Sequence, residues 1–346
     1  MRMRHRIWIV AVLAAAACDA GPYEPDGPFL GLQAELYLTA ALDIMENNSI
    51  RKYEIEWPAF REIALDSAYQ AAAIDPVDTY PMIVDALERI GDQHSFFRPA
   101  PGTVAGVGPA PVGGSARAAP ATVAPSTDLV APGVGYIDVP EFNGGGAEAD
   151  SLASTYHRLI EAVDTLGPTC RWVVDLRGNL GGNMWPMIAG VGPVLGEGVV
   201  GFFLDPDSVV LPWTYSAGSA EVDGVSLALV PEPYELVWPF PYVAVLTDSL
   251  TASSGEAVAV AFRGRPETRS FGGSTWGVST ANSAFPMPDG AVIFLTVSTM
   301  VDRLGTVYGG ELVPDEPVEG GEKTGDPATD AVLAAAVAWL EAQSCG

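Results

Sequence analysis

Apolar residues recur at helical spacing through the first quarter of the chain. Ala34, Leu38, Ala41, Leu42 and Met45 share one face, Phe60, Ile63, Ala64 and Ala71 another, and Ile83, Leu87 and Ile90 a third within Tyr80–Ile90. The spacing predicts three helices between Leu30 and Ile90, a helical N-terminal unit over 30–98 that ends in the turn Gly91-Asp92-Gln93-His94-Ser95. Periodicity then stops. Residues 99–132 are rich in Pro, Ala, Gly and Ser and read as a linker or long surface loop. From residue 133 to 346 short apolar runs alternate with helical periods. Gly135–Val139, Arg171–Asp175, Tyr242–Thr247 and Ala291–Val297 read as strands, and Ala149–Leu166, Ser253–Phe262 and Ala328–Ala342 as helices. Strand-helix alternation predicts an α/β core.

The start of the chain follows a different pattern. Arg2, Arg4 and Arg6 precede an apolar run from Ile7 to Ala17 that is too short to span a membrane as a mature helix. A basic start, a short apolar stretch and small residues describe a signal peptide over 1–17. Cys18, directly after the small residues, resembles a bacterial lipoprotein site, although Ala15 stands where Leu is commoner. The expectation is an exported protein of the cell envelope, lipid-anchored at Cys18, with 18–29 as a Gly/Pro/Asp-rich tether. Only Cys170 and Cys345 then remain. Export permits a disulfide, but sequence does not give their separation, so pairing stays open.

Charge narrows the partners. Lys and Arg number 17 against 43 Asp and Glu, a formal net charge of −26. Such a surface repels phosphate backbones and anionic lipid, which excludes nucleic acid and leaves the lipid anchor as the sole membrane contact. The chain contains no HExxH, no Cys/His cluster and no phosphate loop, so neither metal nor nucleotide cofactor is indicated.

Three segments offer chemistry. Thr251-Ala-Ser-Ser-Gly-Glu256 lies between a buried strand and a helix, where a side chain sits beside outward-facing backbone N–H groups. Those donors suit the negative charge that develops on an attacked carbonyl. Ser253-x-x-Glu256 is equally a capping box, the blander reading. Asp175-Leu-Arg-Gly-Asn-Leu-Gly-Gly182 follows a strand and turns through glycines that let backbone approach a ligand. His94 stands in a polar loop suited to a general base, whereas His5 falls in the signal and His157 on the solvated face of a helix.

Together with Gly91-Asp-Gln-His-Ser-Phe96, Phe271-Gly-Gly-Ser-Thr-Trp-Gly277 and Val313-Pro-Asp315, these segments resemble, in order, those of the C-terminal-processing (tail-specific) serine peptidases. Trp57 and the helices before His94 are similar to that family's N-terminal part. The resemblance implies a ClpP/crotonase-like ββα core behind a small helical N-terminal domain. It also implies Ser253 as nucleophile and the N–H groups of Gly181 and Ser254 as oxyanion hole. Peptide or unfolded-protein substrates follow, with no cofactor.

Departures matter. The Ser-Lys branch carries its Lys after Thr-x-Gly, where this chain has Val278. The branch resembling the tricorn core uses a Ser-His pair, and His94 matches its His, although Gln93 replaces the preceding Ser. Its Glu is expected in Tyr308-Gly-Gly-Glu311, three residues displaced. No PDZ module fits in 99–132. Trp185, Phe271 and Trp276 flank the glycine turns as candidate pocket residues. Ser49-Ile-Arg-Lys52 and Lys323-Thr-Gly325 mimic the S-x-x-K and K-T-G of penicillin-recognising enzymes, but the middle motif is missing and the context of Lys323 is a loop. The alternative function is a non-catalytic ligand- or peptide-binding protein on the same fold, as in retinoid-binding relatives.

Overall fold

The computed structural model describes residues 27–103, 124–167, 169–320 and 322–345. The signal, Cys18, most of the tether and most of the Pro/Ala/Gly-rich stretch therefore lie outside the described residues. The chain begins with helices α1 (Leu32–Asn48), α2 (Trp57–Gln70) and α3 (Tyr80–Ile90), followed by strands β1 (Phe96–Arg98), β2 (Ser126–Ala131) and β3 (Val134–Asp138). Next come α4 (Ala147–Asp164), β4 (Arg171–Asp175), α5 (Met184–Leu195) and the meander β5 (Gly198–Leu204), β6 (Val210–Ser216), β7 (Ser219–Val222) and β8 (Val225–Leu229). The rest is β9 (Tyr242–Thr247), α6 (Ser254–Phe262), β10 (Thr268–Gly272), β11 (Thr280–Pro286), β12 (Val292–Asp302), β13 (Glu316–Pro317) and α7 (Ala331–Glu341).

Two sheets result. One runs β13-β10-β9-β4-β3-β2, parallel from β13 through β3 with β2 antiparallel at its edge. The other runs β1-β12-β5-β6-β7-β8, all antiparallel, with β11 also paired to β12. Successive residues of β4 point to opposite faces, and both faces are covered. Trp172 and Val174 enter a core shared with α4, α5, α6 and the inner faces of β5 to β8. Val173 points the other way, under α7 with Leu333, Ala336 and Leu340. The architecture is mixed α/β. Cys170, before β4, is disulfide-bonded to Cys345, after α7, with a Cα–Cα separation of 6.1 Å.

The helices α1 to α3 share a core with the sheet that follows them. Leu38, Met45, Ile83 and Ile90 pack with Ile293 and Leu295 of β12. The hydroxyls of Tyr37 and Tyr80 both donate to Asp289 in the turn between β11 and β12. Three sequence expectations need correction. Ile63 is 44% exposed, because Ala64 and Ala68 carry the buried face of α2. Residues 126–131, inside the expected linker, form β2 along the exposed edge of β3. His157 is buried: its Nδ1 accepts the Tyr234 N–H and its Nε2 donates to Ala189 O. Burial accordingly pushes its pKa down. Helix α5, over a stretch for which the sequence pattern gave no element, forms despite Pro186 and Pro193 and is buried along its length. Gly190 and Gly192 leave room there for the rings of Tyr156 and Tyr215, which a Cβ would strike.

Candidate active site

The His94 loop is built by its neighbours. Gly91 ends α3 in the left-handed region at φ 74°. Asp92 Oδ1 then accepts the N–H groups of His94 at 2.9 Å and Ser95 at 2.7 Å, a short side-chain turn. Asn282 of β11 donates to His94 O at 2.8 Å. The imidazole is buried, 3% exposed, with Nε2 3.0 Å from Ser253 Oγ and Nδ1 2.7 Å from Thr280 Oγ1. Burial outweighs the attraction of Asp92 and lowers the His94 pKa to about 4. The ring is therefore neutral at physiological pH.

Ser253 precedes α6 at φ 53° and ψ −113°, a conformation that costs a non-glycine residue about 1–3 kcal/mol. Glu256 holds it there. This fully buried carboxylate accepts the Ser253 N–H at 2.8 Å and the Val278 N–H at 3.0 Å on Oε2. Its Oε1 accepts the Thr275 hydroxyl at 2.6 Å and the Gly277 N–H at 3.0 Å. Burial still pushes the Glu256 pKa up despite these four donors. Val278, where the Ser-Lys branch has its Lys, is buried and offers only its amide to this network.

The glycine turn after β4 closes on the same point. A Cβ on Gly181 would lie 2.8 Å from Ser253 Cβ, so only glycine allows this approach. The Ser254 hydroxyl donates to Gly182 O at 2.6 Å and joins the two turns. Arg177 is gripped by both Asp175 and Asp330, and Asn179 donates to Val139 O. The Gly181 N–H, expected to face an oxyanion, instead donates to Asn179 Oδ1 at 2.8 Å.

These elements open on a cleft of about 810 Å³. Trp185 and Phe203 stand on one wall, and Phe96, stacked on Phe294 at 4.5 Å, on another. The other two aromatic candidates fall elsewhere. Phe271 is buried under α7 against Trp339, and Trp276 is 43% exposed outside the cleft lining. Glu311 is exposed and makes no hydrogen bond with His94, whose Nδ1 meets Thr280. The backbone of Glu311 lies beside Gly277. Thr280 had no sequence signal, being one hydroxyl in an ordinary strand. Of the two mimicked lysines, Lys52 is held by Asp207, which raises its pKa, and Lys323 by Asp138 and Arg177 O. Among the described residues, neither hydrogen-bonds Ser253.

Comparison with known proteins gives the family. Residues 133–318, more than half of the chain, match the model of peptidase family S41. The nisin-resistance protein of Lactococcus lactis subsp. lactis is 25% identical over 307 residues, covering 89% of this chain and 87% of its own. The chloroplastic carboxyl-terminal-processing peptidase 2 of Arabidopsis thaliana is 26% identical over 203 residues, which are 56% of this chain but only 33% of that protein. A solved lipoprotein from Streptococcus agalactiae shares the fold at a TM-score of 0.67 and 19% identity, over 90% of this chain and 98% of its own. The chain belongs to peptidase family S41, the family of the C-terminal-processing peptidases.

Proposed function

We propose that this chain is a serine-type peptidase, on a ClpP/crotonase-like core, that cleaves peptides through a Ser253 acyl-enzyme with His94 as general base. The observation that carries the reading is the 3.0 Å approach of His94 Nε2 to Ser253 Oγ at a helix N-terminus that opens on the cleft. Neutral Nε2 takes the Ser253 hydroxyl proton as Oγ attacks the scissile carbonyl. The C–N bond then breaks, and the imidazolium returns the proton to the leaving amine. Water, deprotonated by the same Nε2, attacks the ester and releases the acid and Ser253. For the oxyanion we assign the amides of Ser254 and Gly182, which border the cleft beside Ser253, since the Gly181 amide is occupied by Asn179. Short or unfolded peptides are the substrate class, because an extended chain suits an open cleft lined by Phe96, Trp185, Phe203 and Phe294.

Labelling with a fluorophosphonate tests this reading. Stoichiometric modification of folded protein, lost in Ser253→Ala, is the expected outcome. Folded protein that takes up no label would instead favour a binding protein on the same scaffold.

A further inference from the structure

We propose that Thr280 is the positioning residue for His94, a neutral hydroxyl in the place where serine hydrolases commonly use a carboxylate. The assignment rests on the Ser253–His94 reading and deepens it. During attack the imidazole gains a proton at Nε2, and its Nδ1–H then needs an acceptor. Among the described residues, Thr280 Oγ1, at 2.7 Å, is the hydrogen-bond partner of Nδ1. A hydroxyl has two lone pairs and one proton, so it accepts from Nδ1–H while its own proton turns to the cleft that Thr280 lines. In this assignment the ring carries its proton on Nδ1 and its bare Nε2 faces Ser253.

The site holds that oxygen in place. Thr280 is buried and β-branched, with a stiff χ1, and its N–H donates to Val278 O at 2.7 Å. Val278 is in turn bound to Glu256, which also bonds the Ser253 amide. Nucleophile and positioning residue are thus referenced to a single carboxylate. The charged groups around the ring are Asp92 on its own loop, Glu256 beneath Ser253, and Lys52, Arg98, Asp205 and Asp207 on the cleft walls. None of these side chains hydrogen-bonds the imidazole among the described residues. The chemical consequence is a base whose imidazolium donates a hydrogen bond to a neutral hydroxyl and gains no ion pair, which suits a ring that must stay neutral far into acid.

The experiment uses the full chain with Thr280→Val, Thr280→Ser and Thr280→Asp, reading kcat, KM and the ¹⁵N shifts of the His94 ring. Thr280→Val should lower kcat about ten- to a hundredfold with KM nearly unchanged, the loss of one hydrogen bond to a charged group. Thr280→Ser should restore the rate to within a few-fold. Thr280→Asp should move the acid limb of kcat/KM upward, since a carboxylate there favours the imidazolium. In the wild type the ¹⁵N shifts should show Nδ1–H and a bare Nε2, and that preference should vanish in Thr280→Val. A Thr280→Val variant within twofold of wild type, with Ser253→Ala dead, would overturn the role of Thr280 and leave the peptidase standing. The ring shifts need no turnover, so a wild-type ring carrying its proton on Nε2 overturns the assignment even if the valine variant fails to fold. Loss of the peptidase reading would show separately, as absent fluorophosphonate labelling.

Discussion

His94 combines two demands that usually conflict, burial and proton transfer. Desolvation lowers its pKa to about 4, so the basic form persists well below the ordinary value near 6.5. If Nε2 is the base, kcat/KM should be flat through neutral pH and fall only as pH drops toward 4. A limb at 6.5 or above would contradict a buried His94 in the free enzyme. The same shift acts on stability. Its folded pKa is depressed, so the unfolded chain binds more protons between about 6.5 and 4, and stability should decline as pH falls through that window. His157, lowered by burial as well, adds to the decline. Nucleophile and base working as a unit imply non-additive losses: Ser253→Ala and His94→Ala should each cost about 10³-fold or more, and the double variant little beyond either. His94 and Ser253 were legible as residues because each sits in an informative turn, after Gly-Asp-Gln and within Thr-Ala-Ser-Ser-Gly-Glu. Thr280 was not, because its significance lies only in a contact across 186 positions of sequence.

At the scale of elements, the site is a junction in which Glu256 ties α6 to the turn before β11 and the Ser254 hydroxyl ties α6 to the glycine turn after β4. The capping box read from Ser253-x-x-Glu256 accounts for only one of four hydrogen bonds that this carboxylate accepts. The other three secure residues 275–278, whose path sets Thr280. Glu256→Gln would put an amide NH₂ against backbone N–H donors at one of the two oxygen positions. We expect a destabilisation of about 2–4 kcal/mol, read from denaturant midpoints, with loss of activity beyond the unfolded fraction. An unchanged midpoint would mean that the turn is held by other contacts. Strands β4 and β9 were legible to the residue as short runs with an apolar centre and turn signals at both ends. Helix α5 was not, because burial on every side erases the polar stripe that periodicity needs, and its prolines and glycines read as breakers. The meander β5 to β8 was missed for another reason. Its outer strands expose Val225, Leu227 and Leu229, so the inside-outside alternation that marks a half-buried strand is blurred.

For the whole molecule, the arrangement of parts decides what can reach Ser253. The helices α1 to α3 pack on the β11–β12 hairpin, and the end of α1 borders the cleft through Asn47 and Asn48. Lys52 and Tyr53 then reach across to Asp207 beside β6. Helical periodicity gave the three helices but not this docking, which depends on tertiary contacts such as Tyr37 and Tyr80 on Asp289. Residues 99–132 are expected, from their length and composition, to hold no PDZ module of the kind that the tail-specific resemblance implies. If this cleft binds peptide by its aromatic walls alone, the terminal carboxylate should contribute little to kcat/KM, and the strongly acidic chain should if anything disfavour it. Peptides identical except for a free or amidated C-terminus should therefore be cleaved within a few-fold of each other. A rate loss of tenfold or more on amidation, about 1.4 kcal/mol of transition-state binding, would place a carboxylate-recognising group at the cleft and require a search for it near Arg98 and Lys52.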